Sequence, residues 1–357
     1  METTRLEEPE GELALARQLV LAHGWNSTCY QILNPGIHLW FARDAVVGYG
    51  QWRGMRVVAG APVCAPERMG EVAATFEEAA EAAGCGVCYF GAGPRLEQSL
   101  GAGHSRILLG AQPVWNPFRW SGILAARPSL RAQLSRARNK EVRVREWPRA
   151  AAAASADLLR CLDDWLARRP MPGLHFLVEP RTLDRLWDRR IFVAERFGAP
   201  VAFLVASPVP GRRGWLIEQI VRARESPNGT AELLVAAAFE AAADEGRDYF
   251  TLGLSPLSGL DRDPALRGPW WTPLVLRGLR LHGSRFYNFR GLEHFKAKFH
   301  PDRWEPVYAI CNRTPFPPRA LLAIAGVFGG ESLGRLLVRT LGRALKQEAG
   351  RLLRMPE

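Results

Sequence analysis

The spacing of apolar residues changes twice between residues 38 and 90. Alternating apolar and polar positions are typical of strands, whereas apolar residues three and four apart are typical of a helix. The alternation predicts strands over 38–41, 45–49 and 56–60. Met69, Val72, Phe76 and Ala80 follow helical spacing within a predicted helix over 67–83, and a strand over 87–90 follows. A strand, a helix and a second strand in this order indicate a βαβ unit with a parallel strand pair.

The same order of predicted elements returns later in the chain. Strands are predicted over 191–195, 200–207, 214–221 and 249–254, with a helix over 231–245 between the last two. Helices over 129–140 and 150–166 separate the two copies. The repeat predicts an α/β protein with mixed sheets flanked by helices. We expect an N-terminal lobe over 1–125, a second lobe over 126–318 that carries the active cleft, and a tail over 319–357.

Composition limits the classes of protein that fit this pattern. With 357 residues and 47% hydrophobic residues, the chain is long enough for two lobes. Cys85 and Cys88 form a CxxC, but no second cysteine or histidine pair completes a zinc site, so we expect core cysteines, no metal and a reducing compartment. The acidic stretch Met1–Glu12 does not resemble a signal peptide, and no apolar run approaches the ~20 residues of a membrane-spanning helix.

The net charge of +11 is concentrated in two stretches. The first, over 119–149, contains Arg136, Arg138 and Lys140, which are candidate contacts for RNA or another polyanion. The second is the tail, where leucines alternate with Arg335, Arg339 and other cations. The tail predicts a basic amphipathic helix in the plane of anionic headgroups. For each stretch, the alternative is an arginine-rich surface that is simply solvated. For the tail, a further alternative is a C-terminal helix that packs on the core.

Candidate chemistry lies between the strand over 214–221 and the helix that follows it. The chain turns at Asn228 and Gly229, and Thr230 is placed to cap the helix, whose N-terminus suits an anion or a developing oxyanion. An ordinary helix-initiating turn is the alternative. Glu218 lies in the apolar strand and Glu232 in the first helical turn. We expect both to face one cleft and bind an amine, one serving as general base, unless Glu218 pairs with Arg222 or another arginine.

Four stretches carry a resemblance to a known family. The stretch 286–308 contains Gly291-Leu292, Lys296-Ala297-Lys298-Phe299 and Trp304-Glu305-Pro306, and the others are 248–259, 216–232 and 130–144, the last matching a basic helix. Together they are similar to the C-terminal domain of the lysyl- and alanyl-phosphatidylglycerol synthases. One extra residue, Arg303, stands before Trp304, and the flippase portion of those synthases is absent from this sequence.

The resemblance implies tandem acetyltransferase-like (GNAT) lobes and transfer of an aminoacyl group from aminoacyl-tRNA to a hydroxyl of phosphatidylglycerol or a related lipid. It leaves open the amino acid and the acceptor. Coenzyme A is disfavoured as donor, since acetyltransferases cradle its pyrophosphate with a glycine run of which only Gly229 remains. No cofactor or metal is expected. Expected substrate contacts are Arg222, Asn228, Gly229, Thr230, Ser255, Tyr287, Arg290, Lys296 and Lys298, with Glu218 and Glu232 as the catalytic pair.

The resemblance also implies a cytoplasmic protein, peripheral on the inner face of the cell membrane. Two alternatives remain. One is an acyltransferase of the same fold with another donor and acceptor. The other is a non-catalytic protein that binds anionic membranes or RNA. An enzyme should hold Glu218 and Glu232 in one open cleft, whereas a non-catalytic protein should have both in ion pairs.

Overall fold

The computed structural model describes residues 8–169, 175–258 and 289–329. Helix α1 spans Gly11–His23 and is followed by the 3₁₀ turn Tyr30–Leu33. The first half of the chain then contributes five strands and two helices, in the order β1 (His38–Ala42), β2 (Ala45–Trp52), β3 (Met55–Ala59), α2 (Met69–Ala82), β4 (Gly86–Ala92), α3 (Pro94–Ser99) and β5 (Ser105–Trp115). The βαβ unit predicted for this half is observed, because β3 and β4 pair in parallel.

The second half repeats this unit. Its elements are α4 (Trp120–Ala126), α5 (Pro128–Arg138), β6 (Val142–Trp147), α6 (Arg149–Ala154), α7 (Ala156–Ala167), β7 (Arg190–Arg196), β8 (Ala199–Val209), β9 (Gly214–Arg222), α8 (Thr230–Asp244), β10 (Tyr249–Thr251), β11 (Ser255–Pro256), α9 (Phe289–Ala297) and β12 (Arg303–Cys311). Strands β9 and β10 pair in parallel around α8. The predicted α/β class, with a repeated βαβ unit on a mixed sheet flanked by helices, is confirmed.

The strands that the structure describes form one sheet. Its order is β1-β2-β3-β4-β12-β5-β10-β9-β8-β7-β6, with β11 paired to β5. The late strand β12 lies between β4 and β5 and is antiparallel to both. The sheet therefore runs across the lobe boundary expected near residue 125, and the last strand of the second range pairs with strands of the first. The division at 125 stays a prediction.

Some element predictions were wrong. The helix predicted over 129–140 is observed as α5, but the stretch 130–144 that resembles a basic helix is helical only to Arg138, and Val142 begins the edge strand β6. The helix expected over 150–166 is broken at Ser155, whose hydroxyl accepts a hydrogen bond from the Leu158 N–H at 3.3 Å and caps α7. A short polar residue that binds the backbone in this way starts a new helix instead of continuing the old one.

The tail begins with a helix, α10, which the structure describes over 318–329. Its residues Ala320, Ala323 and Ile324 are buried against the core, and its Phe328 packs edge-on against Phe90 and Phe176. For this part of the tail, the predicted lipid-facing stripe was wrong, because its apolar residues pack on the protein. Residues 330–357 lie outside the described part. None of the helices in the described ranges is both long and apolar enough to cross a bilayer.

Candidate functional site

Strands β9 and β10 separate at their carboxyl ends. Their parallel pairing covers only 214–216 and 249–251, while β9 continues to Arg222 alongside β8. Gly253 turns the chain away from β9 with φ +70°, and its N–H donates to the Thr251 hydroxyl at 3.1 Å. Helix α8 starts just beyond the carboxyl end of β9. We call the region between the two diverging strand ends the cleft, because carboxyl ends of adjacent strands are a common location for ligand sites in open α/β sheets.

Lys296 of helix α9 is a buried amine at this cleft. Its Nζ donates to the carbonyl oxygens of Gly253 and Leu254, both at 2.8 Å. The residue is only 4% exposed, and no carboxylate of the described residues lies within ion-pair distance. Burial lowers the pKa of Lys296 to about 7. In the neutral amine both N–H groups are engaged by the carbonyls, which leaves the nitrogen lone pair available.

Lys298 lies just after the end of α9 and reaches the first turn of α8. Its Nζ is 3.2 Å from Oε1 of Glu232, which is 8% exposed. The Lys298 side chain remains one third exposed. Glu232 was expected to bind the ammonium of a substrate, and in this structure the ammonium it holds is that of Lys298. The two lysines of the motif therefore have different partners, the backbone after β10 for Lys296 and the first turn of α8 for Lys298.

The loop before α8 differs from the prediction. Thr230 does not cap the helix, because Gly229 occupies the cap position with φ +94° and the Thr230 hydroxyl donates to the Pro227 carbonyl at 2.7 Å. A Cβ on Gly229 would lie 2.2 Å from the carbonyl oxygen of Gln133 in α5. The close approach of α5 thus accounts for this glycine without a phosphate ligand. Asn228 and Arg222 are exposed.

Ser255 lies one residue after the Leu254 carbonyl that binds Lys296. It is fully buried, and its hydroxyl has no hydrogen-bond partner among the described residues. A buried hydroxyl without a partner is uncommon because its desolvation is uncompensated. This polar group at the start of β11 can donate to a bound oxygen atom.

Glu218 does not converge with Glu232, which corrects the predicted pair. Along β9, Trp215 and Ile217 pack on the α8 side of the sheet, whereas Leu216 packs on the other side. Glu218 follows Leu216 to that other side, where Gln31 donates to it at 2.9 Å and Arg189 at 3.1 Å. The alternative, in which Glu218 pairs with Arg222 or another arginine, is confirmed, with Arg189 as the partner in place of Arg222.

The pair of Glu218 and Arg189 is nearly inaccessible to solvent. Their side chains are 7% and 2% exposed, respectively. Burial opposes the charge of Arg189, yet Glu218 raises the pKa of the guanidinium overall. Asn34 accepts a further hydrogen bond from Arg189 at 3.1 Å. Such a closed network joins the 3₁₀ turn Tyr30–Leu33 to the second half of the sheet, and both members must be present for either to be tolerated.

Sequence reasoning missed the burial of Lys296 and the role of Arg189. Helical spacing contained a signal for Lys296, because Leu292 stands four residues before it on the same face of α9. No comparable signal exists for Arg189. It donates to Glu218, to which Gln31 also donates, and these three residues lie far apart in the chain. Tyr287 and the side chain of Arg290 lie outside the described residues.

The predicted polyanion contacts lie away from this cleft, at the end of α5. Arg136, Arg138 and Lys140 are exposed, and none has a carboxylate partner within the described residues. All six cysteines are buried. Within residues 8–169, 175–258 and 289–329, no group of three or more histidine, cysteine, aspartate or glutamate side chains is arranged to hold a metal ion.

Comparisons with known proteins agree on one group of relatives. The family model described as phosphatidylglycerol lysyltransferase, C-terminal, matches residues 17–311. The lysylphosphatidylglycerol biosynthesis bifunctional protein LysX of Mycobacterium avium (strain 104) is 28% identical over 231 residues, which are 62% of this chain and 19% of LysX. The chain thus spans about a fifth of the length of that relative.

Two solved structures share the fold. One is the C-terminal domain (DUF2156) of an Agrobacterium fabrum protein assigned as a lysylphosphatidylglycerol synthetase, with 24% identity, a TM-score of 0.74 and coverage of 89% of this chain and 97% of that one. The other is L-PGS from Bacillus licheniformis, with 21% identity, a TM-score of 0.72 and coverage of 94% and 98%. At these identities the likeness concerns the fold.

Proposed function

Because the chain belongs to the phosphatidylglycerol lysyltransferase C-terminal domain family, we propose that it transfers an aminoacyl group from aminoacyl-tRNA to a hydroxyl of phosphatidylglycerol or a related lipid. The name of the LysX relative refers to lysylphosphatidylglycerol biosynthesis, which supports an aminoacylated lipid as product. The observation that carries the proposal is the buried amine of Lys296 at the cleft between β9 and β10.

Lys296 acts as the general base. Its two N–H groups are held by the Gly253 and Leu254 carbonyls, so the lone pair accepts the proton of the lipid hydroxyl. The hydroxyl oxygen bonds to the ester carbonyl carbon of the donor. The same proton then passes from the ammonium to the ribose oxygen as the ester bond to tRNA breaks. A base with a pKa of about 7 is matched to neutral pH, where both proton transfers are accessible.

The oxyanion of the tetrahedral intermediate needs donors that exist before the reaction. The N-terminus of α8 supplies backbone N–H groups and the positive end of the helix dipole, and the unpartnered hydroxyl of Ser255 supplies a further donor from the start of β11. These are the oxyanion donors that the sequence predicted, whereas the general base predicted at Glu218 or Glu232 is replaced by Lys296. Glu218 keeps a structural role as the partner of Arg189.

Glu232 and Lys298 prepare the other side of the cleft. While Glu232 holds Lys298, the exposed part of the ammonium faces solvent and can bind a phosphate of lipid or tRNA. When the donor binds, its α-ammonium can take the place of Lys298 on the Glu232 carboxylate. An exchange of one ammonium for another keeps the buried carboxylate paired throughout.

A non-catalytic binding protein is the second candidate. The observation in its favour is that both glutamates are ion-paired, the arrangement expected for that class. Such a protein would use its cations for an anionic surface and would have no need for a buried neutral amine. The two candidates therefore differ in what Lys296 does.

Transfer of radiolabelled amino acid from charged tRNA to phosphatidylglycerol vesicles, counted in the lipid extract, tests the proposal. Lys296→Met and Lys296→Arg should each slow transfer by roughly 10²–10⁴-fold, because methionine has no base and arginine stays protonated. The wild-type rate should rise with pH through about 7 as the Lys296 amine loses its proton. tRNAs charged with lysine, alanine or arginine identify the amino acid.

Lys298→Met is the matched control, since it removes the other lysine of the motif. It should chiefly raise KM for the anionic substrate and leave the pH profile unchanged. Full transfer by Lys296→Met would contradict the base assignment. No transfer by the wild-type protein with any charged tRNA would favour the non-catalytic candidate.

A further inference from the structure

Strand β11 does not continue the register of β10 along β5. Thr251 of β10 stands opposite Val114, and Ser255 of β11 stands opposite Ala111. Between these two pairs, three residues of the chain after β10 lie across from two residues of β5. One extra residue between two paired stretches is a β-bulge, which bends the strand, interrupts the ladder and is frequent next to active sites.

This bulge carries the carbonyls that hold Lys296. They belong to Gly253 and Leu254, the last two of its three residues, and both accept a hydrogen bond from the Lys296 Nζ at 2.8 Å. In a regular strand, neighbouring carbonyls point to opposite edges and do not converge on one amine. Gly253 departs from that geometry with φ +70°, a left-handed backbone that glycine adopts without steric cost. The pair of acceptors around Lys296 therefore depends on the bulge.

Thr251 closes the bulge at the β10 end. Its hydroxyl donates to the Pro113 carbonyl at 2.7 Å and accepts the Gly253 N–H at 3.1 Å. Thr251 is fully buried, so water does not compete for either bond. Pro113 has no N–H and cannot donate to the ladder at this point. A hydroxyl that binds the backbone two residues further on replaces ladder bonds with a local turn, and it fixes the direction in which Gly253 leaves β10.

Ser258 closes the bulge at the β11 end. Its hydroxyl accepts the Ala111 N–H at 3.1 Å and donates to the Ser255 carbonyl at 2.7 Å, and the residue is 3% exposed. Gly110 makes room for this approach, because a Cβ there would lie 2.3 Å from the Ser255 carbonyl oxygen. Both ends of the bulge are thus tied to β5, and the carbonyls between them are held relative to the sheet.

We propose that Thr251 is a positioning residue for Lys296, because its hydroxyl shapes the bulge that aims the Gly253 and Leu254 carbonyls at the amine. The catalytic part of this inference rests on the proposed function, which takes Lys296 as the base. The two acceptors orient both N–H groups and so keep the lone pair in one direction. Loss of the Thr251 hydroxyl releases Gly253, and the amine then loses acceptors that also favour its ammonium form.

The charged groups around Lys296 do not account for its state. Lys298 and Glu232, from the start of α8, pair with each other. Residues 252–255 contain no ionisable side chain. In the part of the chain that the structure describes, burial alone lowers the pKa of Lys296. The carbonyls of the bulge are therefore the groups whose displacement should alter the protonation of this amine.

Thr251→Val replaces the hydroxyl by a methyl group of similar size, whereas Thr251→Ser keeps a hydroxyl. In the transfer assay, Thr251→Val should lower kcat by roughly 10- to 100-fold, because small displacements of a catalytic group have effects of this size, and should keep KM for charged tRNA within about twofold. The pH at which the rate rises should move down by about one unit, since the buried amine has lost its acceptors. Thr251→Ser should restore kcat and the pH profile.

Stability tests the same residue without any transfer reaction. Lys296→Met should gain stability over its parent protein as pH falls, as long as the folded amine stays neutral while the unfolded lysine takes up a proton. In the wild-type background this gain stops at about pH 7, and in the Thr251→Val background it should continue about one unit lower. Urea unfolding at pH 5.5, 7 and 8.5 measures both. Thr251→Ala gives the same comparison where Thr251→Val does not fold.

Thr182→Val is the matched control, because Thr182 is 2% exposed and its hydroxyl donates to Gln219 at 2.6 Å. It should lower stability and leave the pH profile of transfer unchanged. An equal pH limit in the two backgrounds, a shifted profile in Thr182→Val, or failure of Thr251→Ser to restore the profile would overturn the proposal.

The two assays separate this proposal from the proposed function. Transfer by Thr251→Val with the kcat and pH profile of the wild type would contradict the positioning role and leave the function standing. No transfer by the wild-type protein, together with a lower pH limit of stability in the Thr251→Val background, would contradict the function and support the control of Lys296 by Thr251.

Discussion

A lysine amine with no carboxylate nearby is unfavourable inside a protein, because the charged form loses its hydration. Two backbone carbonyls at the end of β10 compensate Lys296 in part, and the remainder appears as its lowered pKa. Residues that lower stability in this way are common at active sites, where the group with the shifted pKa takes part in the reaction. The stability of the protein should therefore report on the same group as its activity.

Replacing Lys296 by methionine should change the pH dependence of stability. The amine in the folded protein takes up a proton only below about pH 7, whereas an unfolded lysine does so below about 10.4. Between these values the unfolded state binds more protons, so the wild-type protein loses stability as pH falls from about 10 to 7, by about 1.4 kcal/mol for each pKa unit. Below 7 the loss stops.

Lys296→Met lacks this loss, and its advantage over the wild type should grow as pH falls from 10 to 7. Urea unfolding at pH 7, 8.5 and 10 measures it. Parallel stability curves for the two proteins would show that the amine is charged in the folded state.

Single residues also show how far sequence reasoning extends. Glu218 was correctly singled out as a carboxylate that needs a partner, because it interrupts an apolar strand. Its partners Arg189 and Gln31 could not be identified, since the pairing depends on which face of the sheet β9 presents at a bulge near Ala206 and Glu218. Periodicity assigns faces in a regular strand, and one extra residue reverses them.

Among the elements, the packing of α5 against the start of α8 depends on one glycine. Gly229 has φ +94°, and a Cβ there would meet the Gln133 carbonyl at 2.2 Å. Gly229→Ala should reduce the free energy of unfolding by about 1–2 kcal/mol for the left-handed backbone and by a further ~1–3 kcal/mol for the contact. Chemical denaturation monitored by circular dichroism provides the measurement.

Gly198→Ala is the matched control. Gly198 has φ +80°, but no atom lies within 4 Å of a Cβ built on it. Gly198→Ala should therefore lose only the about 1–2 kcal/mol of the free energy of unfolding that comes from the left-handed backbone. Equal losses at both positions would mean that α5 moves away without cost and does not hold α8 in place.

The elements that sequence predicted well have an uninterrupted period. Strands β1 to β4 and β7 to β9, with helices α2 and α8, were found within a few residues of their bounds. Strands β5 and β12 were missed because Gly110 and Pro113 break the pattern of the first and Pro306 that of the second. Such residues weaken local preference, and pairing with neighbouring strands outweighs it. The cleft lies between the predicted strands β9 and β10, beside the turn where candidate chemistry was expected, so its position did not depend on the missed strands.

For the whole molecule, the position of β12 can be tested with native cysteines. Cys311 of β12 lies opposite Cys88 of β4. In the neighbouring residue pair, the Asn312 N–H donates a hydrogen bond to the Val87 carbonyl. Hydrogen-bonded and non-hydrogen-bonded pairs alternate along antiparallel strands, so Cys88 and Cys311 form a non-hydrogen-bonded pair, in which the Cα atoms are typically about 4.5 Å apart. This spacing allows a disulfide.

Oxidative refolding in a glutathione buffer should link Cys88 to Cys311, with glutathione disulfide taking up the two thiol hydrogens. Digestion and mass spectrometry identify the linked peptides. Cys88→Ser should abolish this species and leave other cysteines free, because all six lie buried and separate pairs would require a different sheet. Linkage of Cys311 to another cysteine would contradict the strand order.

The place of β12 has a consequence for synthesis on the ribosome. Strands β4 and β5 emerge early, but the strand that lies between them begins at Arg303. At a synthesis rate of 5–20 residues per second, roughly 10–40 s pass between the synthesis of β5 and that of β12. During this interval the facing edges of β4 and β5 lack their partner strand. Unpaired edges can join other chains during such an interval. Factors that shield a nascent chain should therefore affect the yield of this protein more than its final stability, and slow translation between residues 115 and 303 should favour aggregation.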